Sequence, residues 1–177
     1  MGDRLLAEII TPDVIAISPD APAREGLEIM RRRGISCLVV TDAGRPVGIV
    51  TERNVLWAAA HRGGDFADRP VRDLMSSPVV TVGEDTVLVE AYHLLSQKRL
   101  RHLVMVDAAG QVKGVLTQSD LVQRLGYDSL SEIKRVSEIM TREVVTAGGN
   151  ITVREAVGRM ADRSISCLIV ARDGRPA

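Results

Sequence analysis

The stretch Gly114-Val115-Leu116-Thr117-Gln118-Ser119-Asp120 combines a hydroxyl, a carboxylate and the expected start of a helix. The backbone N–H groups and partial positive charge of a helix N-terminus attract phosphate. Thr117 adds a hydroxyl, and Asp120 can accept two hydrogen bonds from a ribose diol. The same spacing is equally typical of a helix cap, with Thr117 as N-cap and Asp120 in the first turn. Taken alone, the stretch leaves a sugar phosphate site and a plain helix cap as alternatives.

The overall composition is typical of a globular α/β protein with an aliphatic core. Hydrophobic residues make up 45% of the 177 residues, but aromatic residues only 2%. The 23 Lys and Arg residues balance the 23 Asp and Glu residues. Because there is no basic excess, binding to nucleic acid or to an anionic membrane surface is disfavoured.

Neither a signal peptide nor a membrane helix is indicated. The N-terminal residues carry charges where a signal peptide needs an apolar core, and no apolar run approaches the roughly 20 residues of a membrane span. The two cysteines, Cys37 and Cys167, lie far apart in matching apolar segments and have no second ligand at metal spacing. We interpret them as core residues of a cytoplasmic protein, with a redox role as the minor alternative.

Self-comparison reveals a unit that recurs about every 65 residues. Its opening motif occurs three times, as Leu6-Ala-Glu-Ile-Ile-Thr, Val71-Arg-Asp-Leu-Met-Ser and Val136-Ser-Glu-Ile-Met-Thr. The same register relates Gly34-Ile-Ser-Cys-Leu-Val-Val to Ser164-Ile-Ser-Cys-Leu-Ile-Val. A fixed period of this length indicates repeated structural units.

Within each repeat the hydrophobic pattern predicts the order β-α-β-β-α. The helical stripes are Ala23, Leu27, Met30 in the first repeat, Leu88, Tyr92, Leu95 in the second and Val153, Val157, Met160 in the third. Each stripe is followed by two β-branched runs with a turn between them. A three-stranded sheet with two helices buries little surface at about 60 residues, so we expect the repeats to pack in pairs.

We place the domain boundaries at residues 1–65 for repeat 1, 66–130 for repeat 2 and 131–177 for repeat 3. The end of repeat 3, Gly174-Arg-Pro-Ala, copies Gly44-Arg-Pro-Val of repeat 1. The strand expected to carry its Thr-x-x-Asp equivalent, and the helix after it, are therefore missing. Because such an ending would expose a sheet edge, we expect the chain to be a fragment. A natural end completed by a partner chain is the alternative.

The repeats resemble the CBS domain family, which takes its name from cystathionine β-synthase. The resemblance rests on the opening motifs, the run Arg101-His-Leu-Val-Met-Val-Asp and the closing Gly114-Val-Leu-Thr-x-x-Asp. It implies an α/β (α+β) fold of tandem CBS domains, each a small three-stranded sheet with two helices, paired with pseudo-two-fold symmetry. It also implies a regulatory module, not an enzyme, that binds AMP, ADP, ATP or S-adenosylmethionine between paired domains.

Carried over by position, the resemblance makes repeat 2 the better binding site. It implies that Asp120 holds the ribose hydroxyls and that Thr117 meets the ribose or the phosphate. The backbone around Val79, Leu100 and Arg101 is expected to frame the adenine. A charge-assisted hydrogen bond to Asp120 would contribute about 1.5–3 kcal/mol when shielded from water.

Repeat 1 departs from this pattern because its closing run is Gly48-Ile-Val-Thr51-Glu-Arg-Asn54. Asn54 offers one acceptor and one donor group in place of two anionic acceptors. We therefore expect this site to be weaker, empty or tuned to another ligand. Thr51 and the backbone at Ile35 and Ser36 remain as candidate contacts.

The three histidines, His61, His93 and His102, share no metal spacing. Ordinary packing or surface roles are expected for the first two. For His102 a strand-edge position and a ligand contact are equally open, because with Arg101 it lies where the cleft should reach the phosphate. Trp57 is expected in core or dimer packing, with stacking on adenine as the lesser alternative.

Three functions remain open on the sequence: an adenosine nucleotide sensor, a non-binding structural or dimerisation module, and a regulatory part of an enzyme that lies further along the parent chain. No Ser-His-Asp, Cys-His or Walker-type arrangement is visible, so no catalytic residue and no metal or cofactor is expected. The partners expected are an adenosine nucleotide, a second copy in a homodimer, and an effector domain or protein. Nucleic acid binding and membrane insertion are not expected.

Overall fold

The computed structural model describes residues 6–8, 10, 12–120, 135–172 and 174–176. It contains three separate three-stranded sheets, one in each repeat. The predicted β-α-β-β order and the mixed α+β class are confirmed. The boundary predicted between repeats 2 and 3, at residues 130 and 131, lies outside the described residues.

Repeat 1 forms the complete predicted unit. Its elements are β1 (Ala16–Ile17), α1 (Ala23–Arg33), β2 (Cys37–Asp42), β3 (Arg45–Thr51) and α2 (Glu52–His61). Helix α1 crosses over from β1 to β2, so these strands run parallel, whereas the tight turn between β2 and β3 makes them antiparallel. Gly34, with φ 63°, ends α1 in the left-handed conformation that glycine adopts at low cost.

Repeats 2 and 3 follow the same topology. Repeat 2 contains β4 (Thr81–Gly83), α3 (Leu88–Gln97), β5 (His102–Val106) and β6 (Val112–Thr117), after which residues 118–120 are helical. Repeat 3 contains α4 (Val136–Ile139), β7 (Thr146–Gly148), α5 (Val153–Asp162), β8 (Ile169–Arg172) and β9 (Arg175–Pro176). Strand β9, which pairs antiparallel with β8, is the first part of the strand predicted to be missing.

The apolar face of α3 differs from the predicted stripe at one position. Leu88 and Leu95 are buried as expected, but Tyr92 is 51% exposed. The third buried position is Ala91, which is fully buried. Its small side chain turns that side of the helix toward the core, and Tyr92, one residue further on, faces solvent.

The opening segments of repeats 1 and 2 are exchanged between the two cores. Leu6, in the short 3-10 helix Leu6–Glu8, is fully buried among repeat 2 residues such as Leu103 and Leu116. Its backbone N–H donates to the carbonyl of Thr86 at 2.9 Å. Repeats 1 and 2 are therefore one structural pair, since each core contains residues of the other repeat.

The reciprocal half of the exchange involves Val71 and Met75. Val71 is buried in the core of repeat 1, and Met75 packs against the same core. Two glycines make room for the incoming segments: a side chain on Gly48 would collide with Met75, and one on Gly114 would meet Ile10 at 2.6 Å. Glycine is required at both positions because the exchanged segment lies directly on the strand.

Repeat 3 has no such exchange within the described residues. Val136, which corresponds to Leu6 and Val71, is 74% exposed. Val153 was predicted in the apolar stripe of repeat 3, but it is 81% exposed, because it lies in the first turn of α5 with no described segment packed over it. The described part of the chain contains no helix long and apolar enough to cross a membrane.

Candidate functional site

The helix after β6 begins in a reciprocal cap formed by Thr117 and Asp120. The Thr117 hydroxyl accepts a hydrogen bond from the Asp120 N–H at 3.2 Å. Asp120 Oδ2 in turn accepts from the Thr117 N–H and hydroxyl, both at 2.8 Å. The cap alternative is therefore present in the structure. It occupies one carboxylate oxygen, and Oδ1 has no partner among the described residues.

An apolar cavity of about 260 Å³ lies between repeat 1 and the end of β6. Repeat 1 supplies most of its wall, and β6 supplies Val115 and Thr117. The residues that line it are Asp13, Val14, Ile15, Gly34, Ile35, Ser36, Cys37, Val39, Val115 and Thr117. Small-molecule sites typically measure about 300–1,000 Å³, so a group of nucleoside size suits this cavity better than a dinucleotide.

A second, more polar cavity of about 150 Å³ adjoins the first. Ser36 and Thr117 belong to both. The second cavity is otherwise lined by Arg101, His102, Gln118 and Ser119. It therefore combines a guanidinium group with the first residues of a helix, where backbone N–H groups and the helix dipole favour an anion.

The Asp120 carboxylate acts on residues from both sides of this cleft. Burial raises the pKa of the Cys37 thiol to about 11, and the negative charge of Asp120 adds to the shift. The pKa of His102 is lowered by burial and by Arg101, whereas Asp120 opposes that shift. Cys37 belongs to repeat 1 and His102 to repeat 2. The charge of Asp120 therefore influences groups of both repeats.

These shifts distinguish the two candidate phosphate ligands. With its pKa below the ordinary value of 6.5, His102 is neutral at pH 7. Its Nε2 lies 3.5 Å from the Ser36 hydroxyl, which brings the two repeats together at the mouth of the polar cavity. Arg101, which lines the same cavity, keeps its positive charge at neutral pH. It is therefore the better phosphate ligand of the two.

The structure brings together Thr117, Asp120, Ile35 and Ser36, which the sequence analysis had divided between two sites. Val79 and Leu100, expected to frame the adenine beside Asp120, line neither cavity, and Leu100 packs on the core of repeat 2. Their contact with a ligand therefore stays a prediction. The opposing wall comes from repeat 1, because repeats 1 and 2 pack together as a pair.

Several lining residues were missed by the sequence analysis. They are Asp13, Val14, Ile15, Cys37, Val39 and Val115. Val14 stands one repeat length before Val79, so transferring the expected contact to the paired repeat would have found it. Cys37 is half-buried and Cys167 is exposed, so neither is the core residue that was expected.

The equivalent cap in repeat 1 uses both the oxygen and the nitrogen of the Asn54 amide. Asn54 Oδ1 accepts from the Thr51 N–H at 2.9 Å and from the Thr51 hydroxyl at 2.7 Å. Its Nδ2 donates to the Ser76 hydroxyl at 3.0 Å. Asn54 therefore joins α2 of repeat 1 to the opening segment of repeat 2, and both ends of its side chain are engaged.

Comparison with known proteins gives the family. The model of the CBS domain matches residues 6–61, 71–127 and 136–177. The chain belongs to the CBS domain family. The three matches correspond to the three sheets described above, so the chain carries two CBS domains that pair and a third that follows them.

Three relatives illustrate the breadth of this CBS family. The uncharacterized protein MK0525 of Methanopyrus kandleri is 37% identical over 119 residues, which cover 67% of this chain and 61% of that protein. A second relative is protein MJ1225 of Methanocaldococcus jannaschii, a proposed archaeal homologue of γ-AMPK, whose crystal structure is known. The two structures match over 98% of this chain and 68% of the MJ1225 chain, with a TM-score of 0.86 and 20% sequence identity.

The third relative was solved with ligands. It is the CBS domain pair of protein MJ0100 in complex with 5′-methylthioadenosine and S-adenosylmethionine. The two structures match over 72% of this chain and 99% of the MJ0100 chain, with a TM-score of 0.65 and 22% sequence identity. At this identity the likeness establishes the fold. The chain spans about three fifths of the length of MK0525.

Proposed function

We propose that the cleft between repeats 1 and 2 binds an adenosine-containing nucleotide and that binding regulates an attached or partner effector. The observation that carries this proposal is the position of Asp120. One oxygen of its carboxylate is held by Thr117, which lines both the apolar and the polar cavity, and the other oxygen has no partner among the described residues.

The shape and polarity of the cleft match the parts of a nucleotide. The apolar cavity suits the adenine ring, which Ile35 and Val115 would contact from opposite repeats. Asp120 suits the ribose diol, since an ionised carboxylate accepts two hydrogen bonds. Support by analogy comes from the CBS pair of MJ0100, whose two ligands are both adenosine derivatives.

The polar cavity favours a ligand with a phosphate group. We expect Arg101→Gln to weaken AMP binding about tenfold and to leave the affinity for adenosine unchanged, because only AMP places a charge beside the guanidinium group. Calorimetry with both ligands measures the difference. Lys98→Gln, which removes a neighbouring exposed charge outside both cavities, is the matched control. Equal losses for AMP and adenosine would contradict the assignment of Arg101 to phosphate.

The turn at Gly34 and Ile35 can couple ligand binding to the packing of repeat 3. Both residues line the apolar cavity on one side. On the other side they line a cavity of about 520 Å³ against α2 and Val157 of α5. A ligand that favours one position of this turn would shift the packing of repeat 3, which is the differential contact that regulation requires.

Alkylation of Cys37 tests whether ligands occupy the cleft. Cys37 lines the apolar cavity, whereas Cys167 is exposed in repeat 3 and provides an internal reference. Because the thiol of Cys37 has a pKa of about 11, its alkylation should be slow at neutral pH and should accelerate as the pH rises toward that value. We expect AMP, ATP or S-adenosylmethionine to slow the labelling of Cys37 alone, as read by mass spectrometry. Unchanged labelling with every ligand would reject the cleft as the binding site.

A structural or dimerisation module is the second candidate function. It is favoured by the exposed apolar side chains of repeat 3, including Val136, Val153 and Val170, and by the engagement of Asn54 with Ser76. Two results together would favour this function. Light scattering would show a stable dimer, and none of these ligands would slow the labelling of Cys37. Neither candidate function assigns a catalytic residue to the chain.

A further inference from the structure

Helix α2 of repeat 1 packs against helix α5 of repeat 3. The contact is mainly apolar on one side, where Val55, Leu56 and Ala59 of α2 face Val157 of α5 across a partly open cavity. At its edge, His61, the last residue of α2, meets Asp162, the last residue of α5. This pair joins segments 101 residues apart in the sequence.

Both ring nitrogens of His61 face hydrogen-bond acceptors. Nδ1 lies 2.9 Å from the carbonyl oxygen of Trp57, one turn earlier in the same helix. Nε2 lies 2.9 Å from Oδ1 of Asp162. A neutral imidazole has only one N–H and would leave its other nitrogen lone pair opposite an acceptor. The geometry is therefore satisfied in full only by the imidazolium form.

We propose that the docking of repeat 3 on repeat 1 is linked to protonation, with the imidazolium of His61 acting as a latch on Asp162. The latch is closed when His61 carries both protons and opens when one is lost. Opening removes the cross-repeat hydrogen bond and the charge attraction but leaves the apolar contact between α2 and α5. The device thus adjusts how firmly repeat 3 is held.

The charges around His61 are consistent with this latch. From α5 it faces the carboxylate of Asp162, and near it on its own segment lies the guanidinium of Arg62, 5.5 Å from the ring centre of Trp57. The hydrogen bond to the Trp57 carbonyl and then the hydrogen bond to Asp162 raise the pKa of His61 above 6.5. Burial opposes this shift, and the charge of Asp162 adds to it. A raised pKa means that the stabilisation is complete below pH 6.5 and is lost as the pH rises through the higher value.

Trp57 provides a direct readout because it is the only tryptophan of the chain. Its ring stacks on the His61 ring with centroids 4.8 Å apart. An imidazolium quenches indole fluorescence more strongly than a neutral imidazole does. We therefore expect the Trp57 emission of the full chain to rise between about pH 5 and pH 9, with a midpoint above 6.5.

Three variants test the pairing itself. Asp162→Asn should lower the midpoint by about half a pH unit, the shift expected for an exposed ion pair of ordinary strength. His61→Gln should abolish the transition, and Asp85→Asn, an exposed carboxylate of repeat 2, should leave it unchanged. An equal midpoint in wild type and Asp162→Asn would overturn the proposal, because Asp162 would then not face His61 in solution.

Hydrogen exchange tests whether the pair acts as a latch. After correction for the intrinsic pH dependence of exchange, the amides of α5 should lose protection across the wild-type transition. The same amides should lose less protection in His61→Gln, in which the latch is absent at every pH. Protection of α5 that stays constant across the wild-type transition would overturn the proposal, since His61 would then titrate without affecting docking.

Discussion

Replacing Asp120 by asparagine is expected to weaken the binding of an adenine nucleotide at least about tenfold while the fold is retained. The change replaces an anionic acceptor pair by a neutral amide at the point where the ribose diol would bind. A charged acceptor contributes about 1–1.5 kcal/mol more per hydrogen bond than a neutral one. Calorimetric titration of wild type and variant measures the loss.

The chain itself indicates that Asp120→Asn will fold. Asn54 occupies the equivalent position in repeat 1 and makes the same reciprocal cap with Thr51. Glu155→Gln is the matched control, because Glu155 forms a cap of the same kind with Thr152 in repeat 3, outside both cavities. Equal nucleotide affinity in wild type and Asp120→Asn would remove Asp120 from the ribose contact.

Truncation of Leu6 should destabilise repeat 2, although Leu6 belongs to repeat 1 in the sequence. Leu6 is fully buried in the core that contains Leu103 and Leu116. Deleting a buried leucine side chain to the β-carbon typically costs about 2–5 kcal/mol. We expect Leu6→Ala to lower the free energy of unfolding, measured in urea, by an amount in this range, and to increase hydrogen exchange in β5 and β6.

Val136→Ala is the control that the repeats provide for this experiment. Val136 occupies the same position in the opening motif but is 74% exposed. Its truncation should change the free energy of unfolding by no more than about 0.5 kcal/mol. If Leu6→Ala cost no more than Val136→Ala, the exchange of opening segments between repeats 1 and 2 would be contradicted.

The architecture of a single repeat was predictable because its signals are local. A helical stripe ending at Gly34, followed by two β-branched runs around a tight turn, predicts α1, β2 and β3 without reference to the rest of the chain. The exposure of Tyr92, which was not predicted, depends on which side of α3 meets the sheet. A stripe one position away, through Ala91, fits the same spacing rule almost equally well.

The composition of the site was only partly predictable because it lies between repeats. Thr117 and Asp120 were identified from their spacing at the end of a strand, and that spacing does specify a reciprocal cap. The opposing wall, with Val14 and Ile35, depends on how two repeats pair. A self-comparison shows that Val14 and Val79 are equivalent, but it does not show which of them lines the cavity that contains Thr117.

Contacts between distant repeats carried no sequence signal. His61 and Asp162 end two helices whose packing follows from the arrangement of repeats 1 and 3. Trp57 was expected in core or dimer packing. It is 45% exposed and stacks on His61, so core packing is wrong, and packing in a dimer stays a prediction. The apolar run of α2 did not reveal this, since the buried side of that helix is centred on Ala58.

The most direct test of the central claim is isothermal titration calorimetry of the chain with AMP, ATP and S-adenosylmethionine. The account predicts saturable binding of at least one of these ligands at one site per chain, in the cleft that contains Asp120. A single site is expected because the Asn54 amide of the related cleft is already bound to Thr51 and Ser76. If none of the three ligands gave binding heat, the account would be contradicted. Two equal sites per chain would contradict it as well.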